Sequence, residues 1–205
     1  MNQSNNKISK SINYNAIILA AGNSQRMGFP KPFLKWKNNI TFLEKIINEY
    51  HKFNIDKIII VINKESLKYY NKNEYKFLEK ETIIINEHPE YERFYSVKTG
   101  ITALDNYNPC FIQNVDNPFI NQEVLLRLSE NIINDGYVSP VYKGISGHPI
   151  LIGESIIKHL KKIKDHNHNL KDIISQFKRK NIEIPESTIL YNINNLKEYK
   201  KFFRI

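Results

Sequence analysis

The chain has 205 residues, 41% of them hydrophobic, so one domain burying roughly 70% of its unfolded surface is expected. Its longest apolar run, Ala16 to Ala21, is far short of the roughly 20 residues of a membrane span, no apolar signal segment stands in its first thirteen residues, and its single cysteine, Cys110, excludes an internal disulfide framework or a cysteine-built zinc site. The net charge of +9 favours anionic ligands, but the excess is spread over patches such as Lys161-Lys162 and Lys178-Arg179-Lys180, without the dense basic run and interleaved aromatics of a nucleic-acid arm.

Residues 1–13 are polar and without periodicity, which predicts a disordered start before a single domain over 14–205. Ala16–Ala20 reads as a buried strand. Thr41–Phe53 reads as a helix, with Thr41 and Glu44 at capping-box spacing. Lys57–Asn63 reads as a second strand, Glu65–Leu78 as a helix or broken helix, and Thr82–Asn86 as a third strand. Then come a helix over Arg93–Leu104, a strand over Cys110–Asn114 with Cys110 in the core, and a helix over Asn121–Asn131 capped by Asn121. Tyr137–Val141 and residues 147–152 read as strands around a tight turn at Gly144–Gly147. Helices over Glu154–Lys162 and Asn169–Arg179, a short strand over Ile189–Asn192 and a terminal helix ending near Phe203 complete the chain. Apolar runs without strict alternation, separated by helices, indicate a doubly wound, mostly parallel α/β sheet with helices on both faces.

In such sheets ligands sit beyond the C-terminal ends of the strands. Two polar clusters fall there. The first is Gly22 to Lys31, where small residues allow close backbone approach and Arg26 and Lys31 add two cations. It can cradle phosphates, although it is neither a dinucleotide fingerprint nor a P-loop, and a basic surface loop is the plain alternative. The second is Asn114-Val115-Asp116-Asn117-Pro118. A carboxylate there can hold a divalent cation against phosphate oxygens, or it can simply precede the helix at Asn121. Ser96 reads equally as a ligand contact or as a helix-start serine, and His148 more often as structural. His166 and His168 lack a third partner and read as loop residues.

The segment Leu19-Ala20-Ala21-Gly22-Asn23-Ser24-Gln25-Arg26-Met27-Gly28-Phe29-Pro30-Lys31 resembles, at every fixed position, the L-A-A-G-x-S-x-R-M-G-x-x-K signature of the MobA-like nucleotidyltransferases. Ala20-Ala21, and Lys31 to Trp36, look like the molybdenum cofactor cytidylyltransferase branch. So does Pro140 to Pro149, similar to P-x-Y-x-G-x-x-G-H-P. The resemblance implies a nucleotide-diphospho-sugar transferase-like, Rossmann-like fold. It implies CTP or another nucleoside triphosphate on Leu19, Ala20, Ala21, Gly22, Ser24, Arg26 and Lys31, with Ser96 and Gly100 from the S-[LV]-x-x-G element at the base. It implies Lys31, Arg26 and Asp116 as catalytic residues. His148 and Lys171 would meet a molybdopterin-type or other phosphorylated acceptor, and Asp116, Asn192 and Asn194 would hold Mg²⁺.

The family pattern is not kept throughout. Val115 and Asn117 replace Gly and Gln of G-D-Q-P, Asn169-Leu170-Lys171 stands where Gly-Ala-Arg is usual, and Asn192 and Asn194 stand where acids are usual. The implied protein is a cytoplasmic nucleotidyltransferase with no membrane and no specific nucleic-acid partner, which could deliver product to an acceptor molybdoenzyme or chaperone. A nucleotidyltransferase using a sugar phosphate, phosphocholine or methylerythritol phosphate, a non-catalytic nucleotide-binding homologue, and a nucleic-acid-binding module remain as alternatives.

Overall fold

A computed structural model of the chain describes residues 12–37, 40–72, 80–166 and 168–203. In chain order its regular elements are β1 (Asn15–Ala20), α1 (Phe42–Lys52), β2 (Lys57–Ile62), α2 (Lys64–Lys72), β3 (Glu81–Ile85), α3 (Glu92–Thr102), β4 (Cys110–Asn114), α4 (Gln122–Ser129), β5 (Gly136–Tyr142), β6 (Ile145–Ser146), β7 (Ile150–Ile152), α5 (Glu154–Lys162), α6 (Leu170–Ile174), β8 (Lys178–Glu183) and α7 (Leu196–Phe202). They build one sheet in the order β3-β2-β1-β4-β7-β5-β6, with β8 beside β5. Strands β1 to β4 are mutually parallel, with Ile17 opposite Ile59 and Ile112. The other half is mixed: β7 runs antiparallel to β4 and β5, whereas β8 is parallel to β5.

Side-chain alternation sends neighbouring residues of one strand into different cores. Ile18, Ile58, Ile60 and Ile62 pack with Phe42 and Ile46 of α1, Leu125 of α4 and Tyr199 of α7. Ile17, Ile59 and Val61 pack with Phe94, Val97 and Ile101 of α3 and Ile156 of α5 on the opposite face. Both faces being covered explains why the strands read as unbroken apolar runs. At Gly100 the approach of α3 to β1 is so close that an added Cβ would lie 2.7 Å from Ile17 Cγ2.

Two helix starts form as their sequences require. Thr41 N donates to Glu44 Oε2 at 2.6 Å while Glu44 N donates to Thr41 Oγ1 at 3.2 Å, a complete capping box. Asn121 Oδ1 accepts from Val124 N at 3.0 Å at the start of α4. Cys110 is fully buried, and desolvation pushes its thiol far above the ordinary range.

Several expected elements differ. The helix expected over Asn169–Arg179 stops at Ile174, and Lys178–Glu183 is strand β8. All but one of its side chains are exposed, so ladder hydrogen bonds to β5 hold it and no apolar pattern announces it. The strand expected over Ile189–Asn192 is instead a 3₁₀ turn at Ser187–Leu190, because Ile189 and Ile193 enter the core singly rather than along an extended face. The strand expected at 147–152 is shortened to β7, with the two-residue β6 before it. The helix expected to Leu78 is described as far as Lys72, and its continuation lies outside the described residues, as do residues 1–11 of the disordered start expected over 1–13. Among the described residues no helix is long and apolar enough to cross a membrane.

Candidate active site

Beyond the C-terminal ends of β1 and β4 lies a cavity of about 520 Å³. Residues 19–26 form its floor, and Lys31, Asn86, Arg93, Ser96, Asp116 and Asn194 form its walls. The floor is shaped by its first turn. Ser24 has the left-handed φ of 50°, and Gln25–Met27 then make a single 3₁₀ turn that Gly28 closes at φ 67°. The strain at a non-glycine residue is held by its neighbours. Ser24 Oγ accepts from Lys31 N at 3.1 Å, Ser24 O accepts from Met27 N at 2.8 Å, and Met27 is buried beneath. Ser24 therefore fixes the position of Lys31 as well as the loop. The amides of Asn23, Ser24 and Gln25 meet no backbone partner among the described residues, as expected at the start of a helical turn. Arg26 projects from the same turn and is exposed. The loop's entry is tied down by Asn63, whose Nδ2 donates to Ala21 O at 3.1 Å and Gly22 O at 3.2 Å.

The carboxylate wall is built from two distant segments. Ile193 N donates to Asp116 O at 2.7 Å, and buried Asn117 donates through Nδ2 to Ile189 O at 2.9 Å. These bonds lay residues 189–194 across the end of β4. Asn194 thereby reaches Lys31, whose Nζ donates to Asn194 Oδ1 at 2.9 Å and lies 3.5 Å from Asp116 Oδ2. The amide, not the carboxylate, is the closer partner of the ammonium. Asp116 Oδ1 is buried and has no hydrogen-bond partner among the described residues. Asp116 lines the cavity, and a carboxylate with an unpaired oxygen there is suited to a cation brought by a ligand. Among the described residues no group of three or more His, Cys, Asp or Glu gathers into a preformed metal site.

The other wall comes from α3. Ser96 does not cap this helix as a helix-start serine would. It is buried one turn in, and its Oγ accepts from Asn86 Nδ2 at 2.8 Å, while Asn86 Oδ1 accepts from His88 N at 2.7 Å. Arg93 stands three residues before Ser96 on the same helical face and lines the cavity. Crowding by protein atoms pulls its guanidinium below the ordinary value and Asp116 pushes it back up; with a solvent-open face it stays charged. His148, after the β5–β6 hairpin, is half-buried, with Nδ1 unpartnered among the described residues. Burial, and then the Arg93 charge, lower its pKa to about 4, so it is neutral near pH 7.

The remaining expected residues fall elsewhere. Gly100 lies one turn beyond Ser96 and packs against Ile17 rather than lining the cavity. Lys171 is exposed on α6, away from the cavity lining, and Asn192 is exposed while Asn194 alone of the pair lines it. His166 Nδ1 lies 3.3 Å from Lys98 Nζ and its ring stacks on Tyr91, whereas His168 packs edge-on against Phe94, so the two histidines serve separate contacts. Sequence reasoning passed over Asn63, Asn86 and Arg93. Only Arg93 carried a signal, its three-residue spacing from Ser96 on a predicted helix.

Known proteins resemble this chain. A molybdenum cofactor cytidylyltransferase of Escherichia coli (strain K12) is 28% identical over 183 residues, spanning 87% of this chain and 89% of that protein. A molybdenum cofactor guanylyltransferase of Campylobacter jejuni (strain RM1221) is 25% identical over 194 residues, spanning 92% of this chain and 94% of its own length. Among solved structures, the manganese complex of Rv0371C from Mycobacterium tuberculosis H37Rv aligns with a TM-score of 0.74 at 14% identity, covering 94% of this chain and 98% of that one. At that identity it speaks for the fold alone, which is the Rossmann-like fold of nucleotide-diphospho-sugar transferases. The profile described as the MobA-like NTP transferase domain matches residues 16–181, a span that takes in the glycine loop, Asp116 and His148, and the chain belongs to that family.

Proposed function

We propose that the protein transfers CMP from CTP to the phosphate of a molybdopterin-type acceptor and releases pyrophosphate. The observation that carries this reading is the meeting of Lys31, Arg26 and the orphaned oxygen of Asp116 around one cavity. Nucleotidyl transfer needs little covalent chemistry from the protein; it needs positioning and charge neutralisation. An oxygen of the acceptor phosphate attacks the α-phosphorus, a new P–O bond forms, the bond to the β-phosphate oxygen breaks, and pyrophosphate departs. The attacking monoester is already an anion, so no base is required. Lys31 and Arg26 stabilise charge on the nucleotide phosphates and on the leaving pyrophosphate.

A divalent cation, Mg²⁺ in this reading, fits the donors present. Asp116 would hold it through Oδ1 and the nucleotide would supply phosphate oxygens, the usual mode for a hard cation that binds one or two carboxylates. When bound it offsets charge on the phosphates. Asn194 is neutral and already engaged by Lys31, so its part is to orient the ammonium. The choice of CTP rests on Ala20-Ala21 and on the resemblance to the cytidylyltransferases, and the guanylyltransferase relative makes GTP the competitor to test.

The test is pyrophosphate release by purified protein with Mg²⁺ and each ribonucleoside triphosphate, with and without molybdenum-loaded molybdopterin. Release with CTP that depends on the acceptor is expected. Release with GTP alone would overturn the donor, and release only with another phosphorylated acceptor, such as methylerythritol phosphate, would overturn the acceptor.

A further inference from the structure

An open sheet has two edges, and the two edges of this sheet differ in charge. At one end β8 pairs with β5, and its Lys178, Arg179 and Lys180 are all exposed. Exposed cations on an edge strand guard it against unwanted pairing. At the other end β3 pairs with β2 and has no outer neighbour among the described residues. This strand carries no exposed charge. The Glu81 side chain is 1% exposed and turned inward onto His51, Thr82 is exposed, and Ile83, Ile84 and Ile85 are half-buried. An uncharged isoleucine edge is the kind that accepts another strand.

The ladder fixes which backbone groups β3 offers. Ile58 N donates to Lys80 O and Asn86 N donates to Ile62 O, both at 2.7 Å. Parallel pairing alternates, so the N–H and C=O of Thr82 and Ile84 also point at β2, and those of Glu81, Ile83 and Ile85 point away from it. The outward set is centred on Ile83 and is self-complementary. Laid antiparallel on a second copy, Ile83 meets the partner's Ile83 and Glu81 meets the partner's Ile85, and every outward donor and acceptor is used in hydrogen-bonded pairs. The side chains agree with this register. Ile83 packs with the core over α1 and would lie beside the partner's Ile83 on that face, whereas Ile84 packs with the core under α3 and would lie opposite the partner's Thr82. Exposed Lys80 before the strand and exposed Glu87 after it would set unlike charges near each other at both ends. We infer that β3 is a self-association edge: two copies of this chain pair β3 to β3, antiparallel about Ile83, into one continuous sheet.

A groove of about 440 Å³ borders the same edge, with Ile84 of β3 at its base and Tyr95, Thr99 and Thr102 of α3 along its wall. In the paired arrangement the two grooves adjoin across the twofold axis and add apolar contact to the ladder. A five-residue strand pair alone buries less than the ~1,200 Å² of a stable interface, so reversible association with a Kd on the order of micromolar is expected. No residue from Glu81 to Ile85 lines the cavity beyond β1 and β4, so the inference stands independently of the transfer reading.

Sedimentation equilibrium of the full chain, from low micromolar to submillimolar concentration, should show a reversible monomer–dimer equilibrium. Ile83→Lys sets like charges opposite each other at the axis and is expected to raise the dimer Kd at least about tenfold. Thr82 is exposed, so Thr82→Lys should fold; it sets a charge against the partner's Ile84, a similar loss is expected, and it carries the test should the Ile83 variant fail to fold. Lys180→Ala, on the other edge, should leave the association unchanged. In hydrogen exchange the Ile83 amide should gain protection as protein concentration rises, while the Ile84 amide, already bonded to β2, should not. A monomer at every concentration would overturn the inference, as would a dimer unmoved by both β3 variants. Dissociation by Lys180→Ala would overturn it by placing the contact at β8. Species growing beyond the dimer would mean that edges pair head to tail, which also excludes the closed twofold pair.

Discussion

Lys31 is held on two sides, by the Ser24 hydroxyl at its amide and by Asn194 at its ammonium. A cation so positioned acts without being reorganised during reaction, which is where electrostatic catalysis gains most. Lys31→Ala is therefore expected to lower turnover by about two to three orders of magnitude while the circular dichroism spectrum and unfolding midpoint stay near wild type. Unchanged turnover would remove Lys31 from the mechanism. His148 makes a separate prediction. Its folded pKa of about 4 lies below the unfolded value, so the unfolded chain takes up a proton first as pH falls. The neutral histidine's contribution is fully present above pH 6.5 and is lost as pH drops toward 4, about 2 kcal/mol by pH 4.5. Unfolding free energies from urea titrations at pH 7 and 4.5 should differ less in His148→Asn than in wild type by that amount. An identical pH dependence would show that His148 titrates normally.

At the scale of elements, the site depends on how closely α3 lies on the sheet. Gly100 lets the helix approach Ile17, and that approach sets the height of Arg93 and Ser96 above the strand ends. Gly100→Ala places a methyl 2.7 Å from Ile17 Cγ2. Overpacking of this kind costs about 1–3 kcal/mol, outweighing the roughly 1 kcal/mol that alanine gains over glycine in a helix. Chemical denaturation is expected to show net destabilisation; a more stable protein would mean that α3 can shift freely. The glycine of the S-[LV]-x-x-G element is thus a packing residue here, and its serine is placed by Asn86. The loop motif could be read directly because it is local: small residues, a turn and two cations within thirteen positions. Strand β8 could not, because an edge strand with exposed side chains leaves no periodicity to read.

Across the whole molecule, the chain's last helix braces its first motif. Tyr199 and Phe203 of the α7 region pack on Phe42, Phe203 packs on Trp36, and Tyr199 Oη donates to Lys35 O at 2.7 Å. The same terminal region carries Asn194, whose backbone N–H donates to Glu198 Oε2 at 2.6 Å. Tyr199→Ala is expected to destabilise the fold by about 3 kcal/mol and to shift the fluorescence of Trp36, the single tryptophan, toward that of an exposed indole. A wild-type spectrum and midpoint would show that α7 is not a brace. The sequence alone determined the fold class, the buried strands, the capping box and the glycine-containing turn after β1, because each is written in neighbouring residues through period, spacing or turn chemistry. Only the tertiary structure decided which of Asn192 and Asn194 meets Lys31, that Lys171 stands outside the cavity and that Arg93 stands within it. Those outcomes depend on where segments far apart in the chain are laid by packing on the two faces of the sheet, and no local pattern encodes that placement.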